Sequence, residues 1–315
     1  EAADLCEERK SRHPLLFPCV CVMKLFLLLL ATVLLTVTLV CGYVPSTLPR
    51  GLRGSLRPTF TSPSSSYLRP SPLRMMDAAA QLPEVTLYQF QTCPFCSKVR
   101  AYLEYNQVPY TKVEVNPSNK KEIAFSDDYK KVPIAMINGE QVNDSAEIIS
   151  RLQAVLGRTA ENAGDPDEVS KYRTWVNEKL AKTLPPNIYR TIPEALTVTG
   201  RIADTGNYSP WESFYTRYIG GLAMFAVSKG LKKKMDITDE RQALYDAANE
   251  FVDAVGDRQY LGGETPSTAD IEVYGVLDSI REFDAWRDMM DNSRIKPWYE
   301  RMDQVMKKTP QPIAA

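Results

Sequence analysis

Residues 85–106 read VTLYQFQTCPFCSKVRAYLEYN, and the fold is decided there. Val85 to Phe90 alternates in polarity and is rich in β-prone residues, the pattern of a half-buried strand. Pro94 stands where a helix opens, at its first position. Cys96, Val99 and Leu103 follow at i, i+3 and i+7, which puts them on one apolar helical face ending near Asn106. The pair Cys93-Pro94-Phe95-Cys96 therefore lies between the end of a strand and the start of a helix. Free backbone N–H groups and the helix dipole favour a thiolate at Cys93. Lys98 and Arg100 are expected to add positive potential. Cys96 falls one turn in, on the buried face, as either a resolving thiol or a core residue.

Reading outward, Val108 to Val115 forms a second strand closed by Asn116-Pro117, and Lys120 to Phe125 a short helix. Val132 to Ile137 forms a third strand, and Asn138-Gly139 is a hairpin turn into a fourth. Asp144-Ser145-Ala146-Glu147 is a capping box for a helix to about Leu156. The order β-α-β-α-β-β-α is thioredoxin-like. Pro133 is expected to follow a cis bond that turns the Val132 N–H and C=O toward the cysteines, where they can pair with an extended tripeptide. The alternative is a plain edge-strand proline. The helix N-terminus at Asp144-Ser145 offers N–H groups to a carboxylate, or serves only as a cap.

Residues 157–168 read as a linker, and strand signals vanish after it. Helices are expected over about 168–184, 193–202, 211–233, 240–255, 268–283 and 295–308. Ser267 and Asp270 form a second capping box. The apolar stripe of Trp211 to Lys233 reads as core. The chain thus divides into a targeting or hydrophobic region over 1–83, a thioredoxin- or glutaredoxin-like α/β domain over 84–157, and an all-helical domain over 166–309.

Composition narrows the chemistry. The 315 residues carry a net charge of −1 and no basic face, which argues against a nucleic-acid partner. The single histidine is His13, so Ser-His-Asp and Cys-His catalysis and His-ligated metals are excluded beyond residue 83. Four of the six cysteines lie at 6, 19, 21 and 41, leaving no second CxxC to complete a zinc site. Met23-Lys24 reads as a translational start with residues 1–22 upstream of it. Leu25 to Val44 is nearly continuous apolar sequence, long enough for a membrane anchor and also apt for a signal peptide. The tract over 45–80 is transit-like, and Ser46 to Arg74 contains no Asp or Glu. With Gly42-Tyr43-Val44-Pro45 at its head, this region resembles the bipartite presequence of algae with complex plastids. Plastid import is the first expectation and an anchor at 25–44 the alternative. Membrane contact is expected through this region only.

Leu87 to Arg100 resembles the type 2 membrane-associated prostaglandin E synthases. The similarity continues through Val113 to Pro117, Lys131 to Ile134, Asn143 to Ser145, Pro186 to Thr191, Glu194 to Leu196, Ala269-Asp270, Val273 to Leu277 and Pro297 to Tyr299. The resemblance implies a glutathione-transferase fold, usually dimeric, that isomerises the endoperoxide prostaglandin H2 to prostaglandin E2 through a thiol. It implies Cys93 as the catalytic thiol with Cys96 beside it. Val132, Pro133, Asp144 and Ser145 would hold glutathione, with Phe90, Pro94 and Phe95 in support. It also implies haem, with Cys93 as the candidate axial ligand and no other metal site. Relatives carry Tyr at the position of Phe90, so a hydroxyl near the sulfur is missing here. A glutaredoxin or transferase acting on another small apolar or peroxide substrate, and a non-enzymatic haem- or glutathione-binding module, remain the alternatives.

Overall fold

The computed structural model describes residues 82–157, 163–206 and 208–308. The expectations for the targeting region of residues 1–81 lie outside them. Among the described residues, no helix is long and apolar enough to cross a membrane.

The strands are β1 (Val85–Gln89), β2 (Thr111–Glu114), β3 (Ile134–Ile137) and β4 (Glu140–Asn143). They form one sheet in the order β2-β1-β3-β4. β1 runs parallel to β2, with Leu87 opposite Lys112, and antiparallel to β3, with Leu87 opposite Ala135. α1 (Pro94–Tyr105) follows β1, and α2 (Ser145–Val155) follows β4. Val85, Leu87 and Gln89 point inward, as the period of two requires. Tyr88 and Phe90 point to the other face, into a small cluster with Val115, Ile123 and Ile134. The expected helix at 120–125 is a single 3-10 turn, Lys121–Ile123. The second strand begins at Thr111, three residues later than its apolar sequence suggests.

The rest is helical: α3 (Pro166–Trp175), α4 (Ala181–Ile188), α5 (Ile192–Thr205), α6 (Pro210–Tyr215), α7 (Gly221–Lys234), α8 (Glu240–Val255), α9 (Thr268–Asp278), α10 (Asp284–Asn292) and α11 (Lys296–Lys308). Single π turns, Val176–Leu180 and Thr216–Gly220, join α3 to α4 and α6 to α7. α4 runs on past the expected end at Leu184, because Pro185 and Pro186 are taken into its last turn. α10 was not expected. Its apolar positions, Ala285, Trp286, Met289 and Met290, fall at helical spacing among Asp and Arg.

One expectation is reversed. The first half of the stripe faces outward, Trp211 being 72 % exposed and Phe214 52 %, while Met224 and Phe225 of α7 pack against the core. Small residues on the other side, Gly221, Ala223 and Ser228, are the ones buried. A Cβ on Gly221 would lie 2.8 Å from Thr199 Oγ1, so this face packs closer to α5 than an aromatic face would allow. The rings stack on one another instead, Trp211 on Phe214 at 5.8 Å and Phe214 against Tyr218 at 4.9 Å.

α1 and α9 cross at the centre of the molecule. A Cβ on Gly275 would lie 2.8 Å from the Ser97 carbonyl oxygen and 2.9 Å from Lys98 Cα, so only glycine permits this approach. Ten successive residues of α9, Thr268 to Leu277, are buried. The Ser267–Asp270 capping box is present, and the Asp270 carboxylate also accepts from the Leu261 and Gly262 N–H groups and from Trp298 Nε1.

Gly275→Ala should lower stability by about 1–3 kcal/mol through overpacking against backbone atoms. Urea unfolding should show a lower midpoint with an unchanged slope.

Candidate active site

Cys93 is the N-cap of α1, in extended conformation (φ −80°, ψ 122°), and Pro94 occupies the first helical position. Its backbone N–H donates to the Phe90 carbonyl at 3.1 Å, and its own carbonyl accepts from Ser97 N–H at 2.9 Å. The loop that presents it rests on a buried polar network. Arg100 donates to Gln89 Oε1 at 2.6 Å and to the Gln91 carbonyl at 3.0 Å. Gln89, with no exposed surface, donates to Glu114 Oε2 at 3.0 Å, and the same carboxylate accepts from the Gln91 N–H. β2 thus holds the β1–α1 loop through side chains as well as through the sheet.

The two thiols are free and differ in their surroundings: Cys93 is partly exposed and Cys96 buried. The Cys96 S–H donates to the Cys93 sulfur and lowers its pKa. Burial opposes this, and the Cys96 and Phe95 N–H groups and the Arg100 charge add to it, leaving Cys93 below the ordinary thiol range. Burial pushes the Cys96 thiol well up, and its neighbour Cys93 pushes it further. One sulfur is prepared as an anion and the other keeps its proton.

Arg100 contributes to this as expected, but Lys98 does not. Lys98 is fully buried, 3.0 Å from Glu272 Oε2 on α9, and donates to Asn177 Oδ1 at 2.6 Å. Its helical position, five residues after Cys93, points it into the crossing with α9 rather than back to the thiol.

The remaining expected residues lie on the neighbouring turns of the sheet. The Val132-Pro133 bond is cis. Pro133 is buried, and Val132 packs half-buried in the cluster of Phe90 and Ile134. Asp144 is exposed and caps α2 by accepting from the Ala146 N–H at 2.8 Å; Glu147 makes no reciprocal bond to it, so the expected capping box is a single cap. Its φ of 73° is unusual for a residue with a side chain, and such backbone costs about 1–3 kcal/mol and gathers at ligand sites. Ser145, the first residue of α2, is 2 % exposed. Phe95 leans on the main core.

Three residues at this site were not singled out by the sequence: Gln89, Glu114 and Tyr129. A polar side chain at an inward position of β1 was a readable signal for Gln89. Glu114 carried none, since it acts across the sheet from β2, and Tyr129 carried none, since it lies on the loop before β3. As for haem, Cys93 is chemically a fit donor. A single thiolate can serve as the protein's axial ligand to haem, while the described residues hold no group of three or more His, Cys, Asp or Glu suited to a bare metal ion.

Comparison with known proteins agrees with this architecture. Residues 87–156 match the family model for the glutathione S-transferase N-terminal domain. The chain is 38 % identical to prostaglandin E synthase 2 of Danio rerio over 268 residues, covering 70 % of this chain and 71 % of that one. It is 37 % identical to prostaglandin E synthase 2 of Mus musculus over 297 residues, covering 78 % and 77 %. Among solved structures, beta-etherase LigF from Sphingobium sp. strain SYK-6 superposes with a TM-score of 0.50 at 15 % identity. It covers 71 % of this chain and 98 % of its own, a likeness of fold alone.

At neutral pH iodoacetamide should alkylate Cys93 and leave Cys96 unmodified, as read by peptide mass. The Cys93 rate should reach half its limiting value below the ordinary thiol value of about 8.5.

Proposed function

The chain belongs to the prostaglandin E synthase 2 family, within the glutathione-transferase superfamily, and from that premise we propose that it is a glutathione-dependent isomerase whose reactive group is the Cys93 thiolate. The observation that carries this reading is the pairing of a partly exposed, low-pKa Cys93 with a protonated Cys96 that donates to it.

The proposed substrate is prostaglandin H2, and the reaction is an internal redox exchange. The Cys93 sulfur attacks the endoperoxide oxygen borne by the carbon that becomes the ketone. An S–O bond forms as the O–O bond breaks, and the released oxygen takes a proton to become the hydroxyl. A base then removes the hydrogen from the ketone-forming carbon. The electrons of that C–H bond form C=O, and the S–O bond breaks to return the thiolate. The oxygen–oxygen bond is reduced and the carbon oxidised, so no external electrons are needed.

Glutathione, when bound, supplies a second thiol beside Cys93. In this reading the backbone of Val132 pairs with its peptide part, and the N-terminus of α2 at Asp144-Ser145 receives its γ-glutamyl carboxylate. Pro94 and Phe95 fix the helix start, and Pro133 the turn beside it.

The free, unequal cysteine pair also favours a second reading, thiol–disulfide exchange on a glutathione mixed disulfide with Cys96 as resolving thiol. The full chain, Cys93→Ser and Cys96→Ser should each be given prostaglandin H2 with and without glutathione. Isomerase action predicts that wild type forms prostaglandin E2, Cys93→Ser loses at least about 100-fold, and Cys96→Ser keeps most activity. If none forms prostaglandin E2 while wild type reduces a glutathione mixed disulfide, the isomerase reading fails and exchange takes its place. If neither activity appears, the domain pair is a binding module.

A further inference from the structure

The outward aromatic line on α6 and α7 is fixed from behind. Thr199 Oγ1 on α5 donates to the Arg217 carbonyl in the π turn at 2.7 Å, and Ser228 Oγ donates to the Tyr189 carbonyl at 2.8 Å. With Gly221 and Ala223 buried in the same contact, the helix cannot roll to cover its rings. Tyr218 is 46 % and Leu222 38 % exposed, so Trp211, Phe214, Tyr218 and Leu222 stand in water at i, i+3, i+7 and i+11. The line continues along α7 with Ala226, Lys229 and Lys233, all exposed and at the spacing of one helical face. Lys232, Lys233 and Lys234 fill the last turn. Glu240 pairs with Lys232 and lies 4.0 Å from Lys229, and residues 229–234 hold four lysines and no acid. One helix face thus runs from exposed aromatic rings to concentrated positive charge.

We propose that this face seats on a bilayer surface rich in anionic lipid, with α6 and α7 lying in the plane of the headgroups. Trp and Tyr carry a polar tip on an apolar body, and both parts are satisfied at the boundary between headgroups and acyl chains. Phe214 and Leu222 enter the acyl side of that boundary, and the lysines meet the lipid phosphates. The extent of the face favours lipid over a second copy of the chain. Its four apolar side chains leave roughly 400 Å² in water, half of the ~800 Å² that each partner brings to a stable protein interface. An interfacial helix needs no more than its apolar stripe and attraction to anionic headgroups. The proposal puts membrane contact on the helical part, where the sequence alone pointed to core. It is separate from the apolar run Leu25 to Val44 and independent of the chemistry at Cys93.

The test mixes the full chain with vesicles of phosphatidylcholine and phosphatidylglycerol, their acyl chains plain or brominated, and records tryptophan emission. Bromine quenches a tryptophan that enters the acyl boundary, whatever else holds the chain to the vesicle. Trp211 is the exposed one of the four tryptophans and serves as the reporter. Brominated vesicles should quench wild type and leave Trp211→Phe unchanged. The ratio of quenched to unquenched Trp211 emission should fall about fivefold in Lys233→Gln and about tenfold in Phe214→Gln. Both side chains are exposed, and unchanged melting temperatures verify the fold. Wild-type emission that ignores bromine overturns the proposal, even where the chain sediments with the vesicles. Quenching of equal size in vesicles of phosphatidylcholine alone overturns it too. Emission that shifts to the blue with protein concentration in lipid-free buffer, without quenching by bromine, overturns it in favour of a second copy of the chain.

Discussion

A lysine and a glutamate with no exposure to water hold the molecule together: Lys98 on α1 and Glu272 on α9, 3.0 Å apart. Two buried charges hold each other only if their hydrogen-bonding needs are met nearby. Here Asn177 accepts from Lys98 and Arg173 donates to Glu272 Oε1 at 2.8 Å, while Glu272 Oε2 meets Lys98 as an ion pair and accepts no hydrogen bond. These partners come from α3 and the π turn that follows it, so the pair fixes three segments of the helical part against the helix that begins at Cys93. The glycine at 275 permits the contact distance, and the ion pair fixes the register along it. A slide of one helix past the other would leave a charge buried alone.

The thiol inherits this rigidity. Cys93 stands five residues before Lys98, about 7.5 Å along the same helix axis. The far side of its loop is held by the Arg100–Gln89–Glu114 network, also buried. Both ends of the presenting segment are therefore set by polar contacts with directional geometry, where apolar packing alone would leave some play. A sulfur whose anion depends on an S–H and two N–H groups needs that definition, because each of those bonds weakens steeply as it is bent.

What the sequence made legible was what is local. The strand, Pro94, the helix period and the Asn138-Gly139 turn are written within a few residues of where they act, and they led to the thioredoxin-like order and to Cys93. Asp144 was also readable, as a cap. Its positive φ was not, since nothing in the residue type demands it. Lys98 was misread for a physical reason: a lysine near a cysteine looks like a charge for the thiol until the partner on α9, far away in sequence, is known. Glu114 reaches the site only through the pairing of β2 with β1. The Trp211 stripe was misread because apolar residues signal burial only where a facing surface exists, and the small residues of α7 had already claimed it.

The crossing of α1 with α9 also bears on modularity. A free-standing thioredoxin-like domain normally shows water a polar outer surface on its first helix. Here the corresponding surface holds a lysine with no exposure and a backbone stretch shaped to a glycine of another layer. Cut away from the helices, that surface would present a hydrophobic strip where a soluble domain needs polar cover, and a cation stripped of its partner. The CxxC domain is consequently not a detachable part: its first helix carries a surface that only the helical layer covers.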